Sequence, residues 1–146
     1  MPRAVVPDTA VFIKVLREQR AWPGFREDMA SGRLWLSSVV LAELHAGTRS
    51  RGARHLLDQM EALMSRAQRL LTPEAGDWTR AGCLLARRAR LRGALRLQDH
   101  LADLLILVSA ARLGGAVSTS NVGHFEAWAQ LARDAGLDVI VVPYGN

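Results

Sequence analysis

Short apolar runs alternate with longer amphipathic segments along this chain. The runs have the length and content of buried strands, and they lie at residues 4–6, 34–36, 69–71, 116–118 and 138–142. Helical spacing of apolar residues predicts helices between them, at about 10–17, 23–30, 39–46, 52–66, 74–92, 101–113 and 125–135. Because strands and helices alternate throughout, the pattern predicts an α/β fold with a mostly parallel sheet flanked by helices. The length of 146 residues suits a single domain, residues 1–146.

The most apolar of these helices, 101–113, organises the rest of the prediction. Leu104, Leu105, Val108 and Ala111 recur at helical spacing, and Asp103 stands at the head of the run. An acid that begins a buried helix is costly unless a positive group meets it. A metal ion, an arginine or the amides of the helix itself could do so. Asp99, a little upstream, is expected to cap a helix.

The composition excludes several environments and kinds of site for this protein. Apolar residues make up 49% of the chain, and none of the apolar runs is long enough for a membrane span or a signal peptide. Cys83 is the single cysteine, so an internal disulfide and a cysteine-based zinc site are excluded, and it is expected in the core. We therefore expect a cytoplasmic protein.

The charge balance favours polyanionic partners. The net charge is +5 and the sequence pI is about 10.9. Nearly every basic residue is arginine, with Lys14 the only lysine, which is also typical of a GC-rich genome. Charge alone therefore leaves nucleic-acid binding open. The densest arginines are the candidates for contacts with RNA phosphates: Arg49, Arg51 and Arg54, and Arg80, Arg87, Arg88, Arg90, Arg92 and Arg96.

Four side chains are expected to meet at one edge of the sheet. Asp8 follows the first strand, Asn121 follows the strand at 116–118, and Glu43 and Asp103 lie on helices after strands. In open α/β sheets, ligands bind beyond the carboxyl ends of the strands. Converging carboxylates repel one another, and Mg²⁺ or Mn²⁺ would neutralise that repulsion. Each acid alone also has a structural interpretation, since Asp8 could cap the helix that follows it.

His45 and His124 are not spaced in the sequence as metal ligands usually are. His124 lies close to the Asn121 turn, where it could touch substrate, although a hydrogen bond within the turn is the simpler expectation.

Three segments in this order resemble a known family. They are VVPDTAVFI at 5–13, LSSVVLAELHAG at 36–47 and ADLLILVSAARLGGAVSTSNVGHFE at 102–126, and LDVIVVP at 137–143 also fits. Together they resemble PIN-domain ribonucleases, and more narrowly the VapC-like toxins of bacterial type II toxin–antitoxin systems. The resemblance implies a PIN-like three-layer α/β/α sandwich.

The resemblance also implies roles for residues. The metal-binding acids of the family fall on Asp8, Glu43 and Asp103, and its fourth, less regular acidic position falls on Asn121. These four would be the catalytic residues of an endoribonuclease that uses Mg²⁺ or Mn²⁺. The family's nearby threonine matches Thr119, and Thr9, Thr119 and Asn121 are the candidates for contact with substrate.

The same resemblance implies partners other than RNA. A lone toxin of this kind would damage its own cell, so the resemblance implies a cognate antitoxin, and it also implies a homodimer. The apolar residues of the first helices, Phe12, Leu16 and Trp22, are the candidates for such an interface.

Two other classes of function are alternatives to a metal-dependent endoribonuclease. Ala10 stands where the family commonly has Asn, and Asn121 is neutral, as expected for a non-catalytic RNA-binding or scaffold protein with a degenerate site. A phosphatase with an Asp nucleophile usually carries a second Asp two residues later, and Ala10 occupies that place. A dinucleotide-binding fold is disfavoured, because no G-x-G-x-x-G follows the first strand.

Overall fold

The computed structural model describes residues 3–144 and contains, within that range, five strands and seven α-helices. The strands are β1 (Val5–Pro7), β2 (Leu36–Ser37), β3 (Leu70–Leu71), β4 (Ala116–Thr119) and β5 (Ile140–Pro143). The helices are α1 (Thr9–Arg17), α2 (Trp22–Ala30), α3 (Ser38–Gly47), α4 (Arg51–Arg66), α5 (Ala75–Arg92), α6 (Leu97–Arg112) and α7 (Val122–Asp134).

All the strand pairs are parallel, as the alternation of strands and helices predicted. β4 lies between β1 and β5, and β2 pairs with β3. A parallel bridge between Val5 and Leu34 joins the two groups, so the strands follow the order β3-β2-β1-β4-β5. Parallel strands bring their carboxyl ends to one edge, which is where the predicted functional residues lie.

The register of β1 on β4 sets that edge. Pro7, at the end of β1, is opposite Ser118, and the Asp8 amide then donates to the Ser118 carbonyl oxygen at 2.9 Å. Pro7 has no amide to donate, which suits the last position of a strand. Asp8 and the segment after β4 therefore leave the sheet side by side.

Gly115 allows β4 to begin next to β1. A Cβ atom at this position would lie only 2.9 Å from the Ala4 carbonyl oxygen, and Gly114 before it has a φ of +60°. The small-residue break between α6 and β4 is thus required both by the turn and by the close approach of the two backbones.

α6 is the most deeply buried helix. Its residues 104–111 are all buried, and it packs against α3, α5, α7, β1 and β4. A helix that is apolar all round belongs inside a domain, which agrees with the sequence pattern. Trp128 of α7 and Phe12 of α1 are further fully buried members of the same core.

α6 begins earlier than the sequence pattern suggested. Its first residue is Leu97, so Asp103 is the seventh residue of the helix and does not stand at its head. The expected cap is also wrong: Arg96 occupies the N-cap, and Asp99 lies in the first turn. Without a Ser, Thr, Asn or Asp at the N-cap, the usual sequence mark of a helix start is missing.

Two expectations about burial are also wrong. Cys83 is exposed, because Ala81 and Leu84 form the buried stripe of α5 at this level. Phe12 and Leu16 are buried within the single chain, so they are not available for a dimer interface, whereas Trp22 is partly buried. The large apolar residues that remain exposed in the part described are Ile13, Trp78, Leu91 and Leu97.

A buried ion pair ties the start of α5 to the end of α6. The Asp77 carboxylate is completely buried and accepts from the Glu74 amide at 2.9 Å, as part of a capping box. Arg112 donates to the same carboxylate oxygen through Nε and Nη2, both at 3.1 Å, and to the Thr72 carbonyl oxygen at 2.9 Å. The contact fixes α6, and with it Asp103, relative to α5.

Between residues 3 and 144, no helix combines the length and the apolar character that crossing a bilayer requires.

Candidate metal centre

Asp8 is a buried carboxylate at the carboxyl end of β1, with 6% of its surface exposed. It is the N-cap of α1, where its Oδ1 accepts from the Val11 amide at 3.2 Å. Its Oδ2 accepts from the Thr119 hydroxyl at 2.7 Å. The expected capping role is therefore confirmed, and it leaves the carboxylate in a fixed orientation at the edge of the sheet.

The pKa of Asp8 is raised above its ordinary value, chiefly because burial removes water from the carboxylate. The negative charge of Asp103 raises it further, while the hydrogen bonds from Thr119 and Val11 act in the opposite direction. Asp103 is 95 positions away in the sequence, yet its charge acts on the pKa of Asp8.

Glu43 lies on α3 and reaches the same edge by way of Thr9. Its Oε1 accepts from the Thr9 hydroxyl at 2.6 Å, and Thr9 directly follows Asp8. The placement depends on α3 beginning right after β2, with Ser37 as the N-cap whose hydroxyl accepts from the Val39 amide at 3.2 Å. Serine is among the residues preferred at this position, because its hydroxyl satisfies an amide of the first turn.

Asp103 is half-buried and contacts a histidine. Its Oδ2 lies 2.8 Å from Nε2 of His124, near the start of α7. The sequence predicted a hydrogen bond within the Asn121 turn for this histidine, and that is wrong, because its partner is on α6. The two residues are brought together by the packing of α6 against α7.

Asn121 is the N-cap of α7, but its side chain makes no capping hydrogen bond. Its backbone amide donates to the Thr119 hydroxyl at 2.9 Å, and Thr119 itself is fully buried. The hydroxyls of Thr9 and Thr119 are thus both committed to carboxylates in this structure. Contact of Thr9, Thr119 or Asn121 with substrate stays a prediction.

The three acids surround the edge of the sheet without closing into one cluster. Among the described residues, Asp8, Glu43 and Asp103 do not form a group whose ligand atoms all lie within 4.8 Å of one another. Carboxylates repel at short range, and each is held here by its own hydrogen-bond donor. A different group does meet that distance: His45 on α3 with Asp58 and Glu61 on α4. His45 Nε2 lies 2.9 Å from Glu61 Oε1 there.

The donor set at the sheet edge suits a hard divalent cation. Within residues 3–144, no lysine or arginine nitrogen lies within 4.0 Å of the carboxylates of Asp8, Glu43 or Asp103, and His124 is the one possible cationic contact. A buried carboxylate next to a second acid, without a basic partner, is stabilised by a cation. Carboxylate oxygens are the ligands that Mg²⁺ and Mn²⁺ prefer. The residues therefore fit the implied metal.

A cleft adjoins Glu43. It has a volume of about 400 Å³, and its lining combines the arginines Arg17 and Arg49 with apolar side chains of α1 and α3. Of the arginines singled out from the sequence, Arg49 shares this cleft with Glu43, while Arg80, Arg87 and Arg90 line a separate cleft with Cys83.

The fold and this edge define the class of protein. The model of the PIN domain family matches residues 5–139, and the chain belongs to that family. Its architecture is the PIN-like α/β/α sandwich with a parallel sheet, as expected. No curated protein matches the chain by sequence.

Solved structures with the same fold come from VapBC and FitAB complexes. A chain of the DNA-bound VapBC complex from Salmonella typhimurium matches with a TM-score of 0.67 and 20% identity, over 99% of this chain and 100% of that one. A chain of FitAB bound to an IR36 DNA fragment has a TM-score of 0.64 and 22% identity, with coverages of 95% and 94%. A chain of VapBC2 from Rickettsia felis, bound to a DNA fragment from its promoter, has a TM-score of 0.61 and 18% identity, over 97% of this chain and 99% of that one.

Proposed function

We propose that this protein is a metal-dependent endoribonuclease that hydrolyses RNA phosphodiester bonds and acts as the toxin of a toxin–antitoxin pair. The observation that carries the proposal is the placement of Asp8, Glu43 and Asp103 around the carboxyl edge of a PIN-family sheet, with no arginine or lysine paired to them among the described residues. Acids without a basic partner at a ligand-binding edge contribute little to the stability of the fold, and they are suited to binding a cation and its substrate.

The chain holds its three acids in place by separate contacts. Thr119 and the Val11 amide fix the two oxygens of Asp8, Thr9 fixes Glu43, and His124 contacts Asp103. Asp8, Glu43 and Asp103 are the residues that would hold Mg²⁺ or Mn²⁺. When bound, such an ion polarises a phosphate, activates water and stabilises the charge that develops in the reaction. Fixing the ligands in advance reduces the reorganisation that binding and reaction require.

The basic residues of the cleft next to Glu43 would bring RNA to these acids. Arg17 and Arg49 line that cleft, and the net charge of the chain is +5. Arginine binds phosphate oxygens by paired hydrogen bonds, and a basic surface attracts polyanions over longer distances. Asn121, exposed at the start of α7, can offer a carbonyl oxygen or an amide to the substrate.

A cognate antitoxin and a homodimer complete the proposal. The matched structures are of VapBC and FitAB complexes bound to DNA, which supports an antitoxin partner for this chain. Exposed Ile13 borders the cleft at Glu43, while Trp78, Leu91 and Leu97 lie on other helices. These residues replace Phe12 and Leu16 as the apolar candidates for association.

A second candidate function is a non-catalytic RNA-binding or scaffold protein. It is favoured by the neutral Asn121 and by the spacing of the three acids, which do not approach within 4.8 Å of one another as a group in the described residues. The two functions differ in whether RNA is cleaved and in whether cleavage needs a divalent ion.

The experiment that separates them follows the cleavage of a labelled single-stranded RNA by the purified protein. We expect cleavage with Mg²⁺ or Mn²⁺ and none with EDTA, because the acids alone cannot supply the charge stabilisation. Glu43→Gln should lose most of the cleavage, since it keeps the shape and the contact with Thr9 but removes one anionic ligand.

The matched control is Asp58→Asn, which changes a carboxylate of the separate His45 group and should cleave like wild type. Binding of RNA without cleavage would favour the scaffold. Cleavage that persists in EDTA, or that Glu43→Gln leaves unchanged, would contradict the metal mechanism.

A further inference from the structure

A cleft lined by three arginines lies between α5 and the segment that leads into β5. Arg80, Arg87 and Arg90 line it, and the cleft has a volume of about 270 Å³. The rest of its lining is Cys83 together with aliphatic side chains, and among the described residues no acid lines it. The three arginines share one face of α5, because they are separated by seven and three positions.

The charges of these arginines are hardly used within the chain. Among residues 3–144, no carboxylate oxygen lies within 4.0 Å of a side-chain nitrogen of Arg87 or Arg90. Arg80 has one such contact, with Asp77 at 3.8 Å, and the closer partner of that carboxylate is Arg112 at 3.1 Å. The cleft therefore presents positive charge that is available to an anion.

The acids that flank the lining along the chain have other partners. Asp134 accepts from the Gln130 side chain at 3.0 Å, and Asp138 pairs with Arg3 at 3.0 Å. Neither contact involves an arginine of the cleft. The positive charge of the cleft is thus kept by the way in which its neighbours pair.

The cleft lies toward the end of the sheet opposite the candidate metal centre. Leu137, which lines it, precedes the first residue of β5, whose Ile140 amide donates to the Gly115 carbonyl oxygen at 3.3 Å, just before β4 begins. Asp8 instead follows the last residue of β1. Because the strands are parallel, these positions belong to opposite edges, which the four residues of β4 alone separate by roughly 10 Å.

The lining suits the backbone of a nucleic acid better than its bases. Guanidinium groups bind phosphate oxygens by paired hydrogen bonds, and contacts of this kind supply affinity without reading sequence. Base edges are read by groups that can accept as well as donate, and the arginine, cysteine and aliphatic side chains of this cleft include no strong acceptor.

We propose that Arg80, Arg87 and Arg90 form a second RNA-binding site, which holds the phosphate backbone of the substrate away from the point of cleavage. This inference rests on the proposed function, because it takes RNA to be the substrate. An RNA that contacts both sites must be long enough, or folded, to pass around the domain. The protein therefore selects long or folded RNAs by binding them, and the chemical step itself is independent of this cleft.

The binding test uses a long labelled single-stranded RNA in EDTA, so that neither a metal nor cleavage contributes. Fluorescence anisotropy over a range of salt concentrations gives the slope of log K against log salt. We expect Arg87→Ala and Arg90→Ala each to reduce the magnitude of that slope by about 0.7, since each loses one phosphate contact of a single strand. Arg87→Lys and Arg90→Lys keep the charge and should retain most of the slope.

Arg66→Ala is the matched control for these variants. It removes the same charge from an exposed arginine in the last turn of another helix, α4, outside this cleft. The slope of Arg66→Ala should equal that of wild type. A control with an equally reduced slope would mean that net charge alone is measured, and it would overturn the second site.

Cleavage with Mn²⁺ provides the second readout. For the long RNA, Arg87→Ala and Arg90→Ala should raise KM and leave kcat unchanged, whereas for a trinucleotide both constants should match those of wild type. Unchanged salt slopes, or a trinucleotide affected as much as the long RNA, would overturn the second site and leave the metal centre standing. Reduced slopes in a protein that cleaves no RNA would support the cleft and contradict the proposed endoribonuclease.

Discussion

Asp103→Asn is expected to abolish most RNA cleavage and to leave the protein folded. Asn and Asp have similar helix propensities, and an amide oxygen can still accept a hydrogen bond from His124. The change removes one of the three proposed anionic metal ligands, and we expect cleavage to fall by about 100-fold or more, as when one element of electrostatic stabilisation is lost. Cleavage of labelled RNA by the purified variant, at matched concentrations of Mn²⁺, measures the effect.

The same variant should be at least as stable as wild type without metal. The charge of Asp103 raises the pKa of buried Asp8, so its removal lets that pKa fall back toward its ordinary value and relieves repulsion between the two acids. Asp99→Asn is the matched control, since it makes the same change in the same helix at an exposed residue of the first turn. Full cleavage by a folded Asp103→Asn protein would refute the catalytic role of this residue.

Arg112→Ala is expected to cause a large loss of stability although it lies away from the sheet edge. Asp77 has no exposed surface and takes two of its hydrogen bonds from the Arg112 guanidinium. Removing Arg112 takes away the closest cationic partner of a buried carboxylate and leaves only the longer contact with Arg80, at 3.8 Å, so we expect a cost of up to about 3–5 kcal/mol. Urea denaturation at neutral pH should show this decrease in the free energy of unfolding.

Asp138→Ala provides the control for Arg112→Ala. It removes an ion pair with Arg3 in which the Asp138 side chain is 70% exposed, so the expected change is within about 1 kcal/mol. A loss of less than about 1 kcal/mol in Arg112→Ala would mean that Asp77 finds other partners, and that the clamp between α5 and α6 is weak.

Local signals in the sequence predicted much of the fold. The apolar runs located the strands, and the aspartate at position 8 indicated the start of α1. These predictions succeeded because each depends on residues within one turn of one another. The start of α6 failed for the same reason, since Arg96 offers no side-chain cap that a local pattern could reveal.

The contacts of the site depend on packing between elements and could not be predicted from local patterns. His124 and Asp103 are 21 positions apart and meet only because of the way α6 packs against α7. Arg112 and Asp77 are 35 positions apart and meet because α6 packs against α5. For Cys83 the local pattern itself was misleading. The helical pattern predicts a core residue at this position, but Cys83 lies beside the buried stripe of α5 and is exposed.

The family resemblance supplied the three acids, and the structure explains how the chain holds them. Asp8, Glu43 and Asp103 could be matched to motifs in the sequence, but their hydrogen-bond donors could not be assigned from it. Thr9 and Thr119 donate to Glu43 and Asp8, and contact of either threonine with substrate stays a prediction. The spacing of the acids also depends on these donors, because each carboxylate is held by its own partner.

The position of bound Mn²⁺ in a crystal tests the central claim most directly. Diffraction data collected near the manganese absorption edge, from crystals of the protein grown with MnCl₂, locate the ion by its anomalous signal. The account predicts a peak at the carboxyl edge of the sheet, in contact with the carboxylates of Asp8 and Asp103. A fully occupied peak at His45, Asp58 and Glu61, with none at Asp8 and Asp103, would contradict it.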